Sequence, residues 1–111
     1  MFKPLTALAA VLALAACSGA GKGDASATKV LLKDHQFSPA EIHVKANAPV
    51  VLEVTNADGL ADEFDSDSLK VEKVIAGGQK GLVRIRPLAP GRYPFMGEYH
   101  AKTAQGVVVA E

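Results

Sequence analysis

The sequence is poor in the residue types that mark several common protein classes. It has one cysteine in 111 residues, which excludes an intramolecular disulfide framework, a four-cysteine zinc site and a CxxC redox pair. It has no surplus charge, with 12 basic and 12 acidic side chains, so it lacks the basic excess of a nucleic-acid binder. No apolar run reaches the roughly 20 residues that a membrane-spanning helix needs. There is no GxSxG, HExxH, P-loop or dinucleotide-binding glycine pattern, which removes the motif-bearing enzyme classes. The length allows one domain.

What hydrophobicity there is, is unevenly spread. Residues 1–17 (MFKPLTALAAVLALAAC) hold 14 hydrophobic residues, and the remaining 94 hold 40, an ordinary globular content. The first segment has one charge, Lys3, and the length of the apolar region of a secretory signal. Its end, Leu14-Ala15-Ala16-Cys17, resembles the lipobox of bacterial lipoproteins. That resemblance implies removal of residues 1–16, diacylation of Cys17 and a periplasmic protein held to the membrane, with Ser18 favouring the outer membrane. The alternative is an ordinary signal cleaved nearby, giving a soluble periplasmic protein. Residues 17–28 are small and polar and read as a lipid-anchored flexible tether.

From Lys29 onward the pattern changes to short strands. Leu31 and its neighbours Val30 and Leu32 form an apolar run; Ile42 and Val44, then Val50, Leu52 and Val54, then Val83 and Ile85 recur with period two; Val107 and Val109 close the chain. Alternation with β-branched residues is the signature of half-buried strands. Breakers stand between them at Pro39, Pro49, residues 56–59, Gly77-Gly78 and residues 87–91. Only residues 65–70 have the pattern of a helical turn. Strands at this spacing predict an all-β sandwich or barrel over residues 29–111.

Three stretches in order, HQFSPAEIHV (35–44), PVVLEVTN (49–56) and LAPGRYPF (88–95) with His100 and GVVV (106–109) after it, resemble a cupredoxin domain. The resemblance implies a Greek-key β-sandwich. In blue-copper members the last loop supplies Cys, His and Met, and an earlier loop a further His. Aligned on Tyr93 and Phe95, Gly97 falls on the cysteine, His100 on the histidine and Gln105 on the methionine. The loop after Asn56 (ADGLADEF) has no histidine. A trigonal His₂Cys copper site needs a thiolate, so blue-copper electron transfer is not expected.

A narrower set, EFDS (63–66), EKVIAG (72–77) and GEYH (97–100), is similar to small periplasmic cupredoxins associated with bacterial iron-permease systems and, more distantly, to the EfeO-type cupredoxin domain. That resemblance implies a metal site of His35, Glu63, Met96 and His100, with His35 and Met96 standing at two cysteine positions of the EfeO-type domain. Asp65, Glu72 and Glu98 are secondary candidates for iron or a weaker cation. His43 alternates with Ile42 and Val44 and reads as surface. Residues 58–72 hold six acids against one base, Lys70.

Imidazole with carboxylate suits Cu(II) and non-haem Fe(II), and a thioether adds affinity for Cu(I). Copper is therefore the expected cofactor and iron the expected substrate ion. The implied function is a periplasmic copper-binding protein of ferrous iron uptake that binds or oxidises Fe(II) for an iron permease. Ferroxidase activity is the one reaction that fits. Two alternatives stay open: a copper carrier or buffer without a redox role, and a metal-free sandwich that binds a partner protein. A domain this small could form a homodimer in which ligands come from two chains.

Overall fold

The computed structural model describes residues 27–111. The expected signal segment 1–16, the lipobox cysteine Cys17 and all but the last two residues of the tether 17–28 lie outside the described residues. Nine strands follow in order: β1 (Thr28–Lys33), β2 (Gln36–Ser38), β3 (Glu41–Val44), β4 (Val50–Asn56), β5 (Asp62–Ser66), β6 (Val71–Ile75), β7 (Lys80–Ile85), β8 (Gly91–Gly97) and β9 (Gln105–Ala110). A single 3-10 turn, Glu98–His100, stands between β8 and β9.

The strands form two sheets, β2-β1-β4-β7 and β3-β9-β8-β5-β6. β1 pairs with β4, and β3 with β9, in parallel; the remaining pairs are antiparallel. This is the expected sandwich. The alternation read from the sequence maps directly onto the inner faces: Val30, Leu32, Ile42, Leu52, Val54, Val83 and Ile85 are all buried. In β9 the inward residues are Val108 and Ala110, while Val107 and Val109 are half-buried.

At one end of the core, Phe64 and Phe95 stack with centroids 4.6 Å apart, and Phe37 meets Phe95 edge-on at 5.0 Å. Such pairs contribute about 0.5–1.5 kcal/mol each beyond the area they bury. They tie β2, β5 and β8 together beneath the loops that carry the candidate ligands.

Two strands, β5 and β6, were hidden at the acidic stretch: four of the five residues of β5 are polar, and the three apolar residues of β6 do not alternate with period two. In β5 only Phe64 is apolar, yet Asp62 and Ser66 are buried beside it. The expected helical turn over residues 65–70 is instead the end of β5 followed by a tight turn, closed by the Lys70 amide donating to the Asp67 carbonyl at 3.3 Å. Arg86, immediately after β7, fastens that turn by donating to the carbonyls of Leu69 and Ser68, at 2.9 and 3.1 Å.

Candidate metal centre

Three loops meet at the aromatic end of the sandwich. The first is the two-residue turn between β1 and β2, Asp34 and His35, with φ of +53° and +55°. Two successive left-handed residues are what a tight hairpin of this twist requires, and glycine or asparagine normally meets the need. For other residues the left-handed conformation costs roughly 1–2 kcal/mol each. A histidine held there is an observed departure from the backbone's preference, the kind that gathers at functional positions.

The loop after β4 supplies the restraint. Asn56 is fully buried; its side-chain amide donates to the carbonyls of Leu60 and Ile75, and its oxygen accepts from the Asp58 amide. Asp58 is thereby aimed at the hairpin. Its carboxylate accepts the amides of Asp34 at 2.7 Å and His35 at 3.0 Å, and lies 3.4 Å from His35 Nδ1. The His35 amide, followed by the Asp34 amide and the charges of His35 and His100, holds the Asp58 carboxyl below its ordinary value of 3.8 against an opposing effect of burial.

The third loop runs from β8 to β9. It closes on itself: the Gly97 amide donates to the Ala104 carbonyl, and the Ala104 amide to the His100 carbonyl, at 2.8 and 2.9 Å. His100 is thus fixed facing the hairpin. The His35 and His100 rings stack with centroids 3.7 Å apart and planes 13° from parallel.

Asp62 completes the group. It opens β5 two residues before the buried Phe64, so it shares Phe64's inward face, and its side chain is 3% exposed. One oxygen accepts the Glu63 and Tyr99 amides, at 2.8 and 3.1 Å; the other lies 3.0 Å from His100 Nδ1. His35, Asp62 and His100 each present a ligand atom within 4.8 Å of the other two. Ligand atoms at about 2.0–2.1 Å from a common ion are at most about 4.2 Å apart, and imidazole lone pairs lie in the ring plane, so a shared ion requires the stacked rings to turn out of parallel as the three groups close in. A nearly buried carboxylate beside two imidazoles fits a divalent metal, whose charge would offset the cost of burying the carboxylate.

Gly97 explains how Asp62 gets there. A Cβ built at this position would stand 2.7 Å from Asp62 Oδ2 and 2.8 Å from the Ala104 Cβ. The space that a side chain at 97 would enter is filled by the Asp62 carboxylate. Position 97, which the sequence resemblance aligns with a cysteine, thus has an oxygen from β5 where its own side chain would stand. His35 likewise comes from the hairpin beside the loop after Asn56, which itself carries no histidine.

Of the sequence candidates, His35 and His100 are brought together. Glu63 points to the opposite face of β5, where Glu63, Asp65 and Glu72 form a second group with ligand atoms within 4.8 Å. Met96 lies between the buried Phe95 and Gly97, is 39% exposed, and is in register with Asp65 and Gln105 on that same outer face. Glu98 bonds Glu63, and the Glu63 charge, then those of Asp65 and Glu72, raise its carboxyl above the ordinary 4.5. His43 is on the surface, paired with Glu111 at 2.7 Å. Asp62 and Asp58 were not singled out from the sequence. The signal for Asp62 was its two-residue spacing from Phe64, an aromatic residue in a strand context.

A family model described as a cupredoxin-like domain matches residues 4–110. An uncharacterized protein of Rickettsia prowazekii (strain Madrid E) is 35% identical over 81 residues, which cover 73% of this chain and 65% of that protein. The match thus spans just under two thirds of the relative's length. Among solved structures, the metal-binding domain of the Streptococcus pneumoniae D39 Cu(I)-exporting P-type ATPase CopA, with Cu(I), superposes with a TM-score of 0.64 at 15% identity, covering 75% of this chain and 82% of that one. Amicyanin from Paracoccus versutus gives 0.62 at 18% identity, covering 83% and 88%. A purple cupredoxin from Nitrosopumilus maritimus gives 0.58 at 13%, covering 76% and 99%. At these identities the three show a shared fold.

Proposed function

The chain belongs to the cupredoxin-like domain family, and from that premise we propose that it binds one copper ion through His35, Asp62 and His100 and acts in the uptake of ferrous iron. The observation that carries the metal reading is the convergence of two imidazoles and a buried carboxylate from the β1–β2 hairpin, the 3-10 turn after β8 and the start of β5. Two nitrogens and an oxygen suit Cu(II), which outcompetes Fe(II) at most such sites. Bound copper would supply a one-electron acceptor for Fe(II), the substrate ion. The chain's residues provide the rest: Asp58 holds His35, the Glu63 and Tyr99 amides orient Asp62, and the closed 97–104 loop presents His100.

In this reading the domain stands in the periplasm, anchored through Cys17, and passes Fe(III) to an iron permease. The narrower sequence resemblance supports that placement. Copper titration of the chain, with and without His35→Ala, Asp62→Ala and His100→Ala, tests the site. One ion per chain, weakened at least tenfold by each substitution, is the expected result; retention of affinity in all three overturns it. Fe(II) oxidation by the copper-loaded chain, compared with the same concentration of free copper, separates ferrous iron uptake from simple copper carriage. No acceleration over free copper favours the carrier.

A further inference from the structure

The outer face of the five-stranded sheet carries a second feature, independent of the metal reading. β5 and β8 are in register at only two positions, Phe64 with Gly97 and Asp65 with Met96. Beyond Met96 the strand reaches Pro94, which has no amide to offer a neighbour. The Pro94 carbonyl is met instead by the Ser66 hydroxyl at 2.6 Å. The two strands therefore part, and a groove of about 460 Å³ opens between the turn after β5 and the β8–β9 ribbon.

Its floor is apolar: Pro94, Met96, Ala101 and Gly106 line it, and Asp65 and Asp67 stand on one side. A side chain at 106 would collide with the buried Phe95 ring and come 2.7 Å from the Ala40 carbonyl, so glycine there lets Phe95 pack close against β9 beneath the groove. Glu63, Asp65 and Glu72 cluster beside the groove, and Glu98 adds a fourth carboxylate bonded to Glu63. Lys70, in the turn, borders the polar hollow next to the groove.

The geometry points to a docking surface for a basic segment of a partner protein, with an apolar side chain seated on Met96 and Pro94 and flanking lysines or arginines facing Glu63, Asp65, Asp67 and Glu98. Charge complementarity selects this occupant. The carboxylates of Glu63, Asp65 and Glu72 present oxygens within 4.8 Å of one another at the edge of the groove, and a cationic partner relieves their mutual repulsion while the groove buries its apolar residue. An apolar ligand alone would leave the repulsion in place. A metal ion alone would leave the groove unused.

The test uses the full chain and a ten-residue peptide with two central leucines flanked by lysines, followed by amide chemical shifts. Saturable binding is expected, with shifts at Met96, Ala101 and Gly106 and at least a tenfold loss of affinity in Glu63→Gln/Asp65→Asn/Glu98→Gln. Met96→Gln, which leaves the charge unchanged, should weaken binding at least threefold, and so should replacing the leucines with serine. Equal affinity of the serine peptide, shifts confined to another face, or no loss in the triple variant overturns the proposal. So does Mn(II) broadening these amides at micromolar concentration while the peptide does not bind, or a concentration-dependent dimer that covers the groove.

Discussion

Replacing Gly97 by alanine adds one methyl group at the point where the architecture and the metal site depend on the same space. The backbone there is extended, with φ −87° and ψ 103°, so alanine meets no conformational penalty. By restricting the unfolded chain it would on that account stabilise the protein by about 0.4–1 kcal/mol. The methyl would stand 2.7 Å from Asp62 Oδ2 and 2.8 Å from the Ala104 Cβ, and forcing extra carbon into a packed interior costs about 1–3 kcal/mol. The net expectation is a loss of roughly 1–2 kcal/mol in urea unfolding at neutral pH. Asp62 must retreat from His100, so copper affinity should fall at least tenfold. The cause is isolated by adding Asp62→Ala: with the carboxylate gone, part of the steric cost disappears, and the two changes should couple by about 0.5–3 kcal/mol, as residues in contact do. A Gly97→Ala protein that is as stable as the parent and binds copper as tightly would show that Asp62 does not occupy the space beside position 97.

Three further outcomes follow from the same geometry. His35→Gly should raise the melting temperature, because removing the left-handed strain is worth roughly 1–2 kcal/mol while the stacked imidazole lost is partly exposed, yet copper binding should collapse; a lower melting temperature would show that the hairpin is not strained. Asp58→Ala should destabilise the protein in urea unfolding, because the Asp34 and His35 amides of the hairpin lose their acceptor. Because Asp58 has a depressed carboxyl, its contribution is present above 3.8 and lost as pH falls from there through the folded value, so the difference between parent and variant in acid unfolding should shrink below that pH. Glu98 has the opposite sign: its carboxyl is raised above 4.5, so the folded state loses stability as pH climbs from 4.5 through the folded value. Glu98→Gln should therefore be more stable than the parent at pH 7 and equal to it in acid, as read by thermal melts across that range.

Much of the fold was legible in the sequence because its carriers are alternating β-branched residues. Val50, Leu52 and Val54 are inward in β4 for the reason their pattern suggested. β5 and β6 were not legible. Three of their outward residues, Glu63, Asp65 and Glu72, are acidic and the apolar Val74 is exposed beside them, and in β5 two of the three inward residues, Asp62 and Ser66, are polar. Burial of a polar group is tolerable only where partners await it, and those partners, the Tyr99 amide and His100 for Asp62 and the Pro94 carbonyl for Ser66, come from residues 28–38 positions away. No local pattern can announce them.

By itself the sequence determined that a cupredoxin-like sandwich would form, that position 97 offers no thiolate, and that any metal site must draw on few histidines. Which carboxylate lies beside them was decided only in three dimensions. Asp62 and Glu63 are adjacent, and in a strand adjacent residues face opposite sides; the choice rested on Phe64 entering the core and on Gly97 leaving a volume for an oxygen to fill. His35 gained its place in the same way. A hairpin histidine is unremarkable in sequence, and it meets His100 because Asp58, on a different loop, accepts both amides of a turn that would otherwise be too costly to hold.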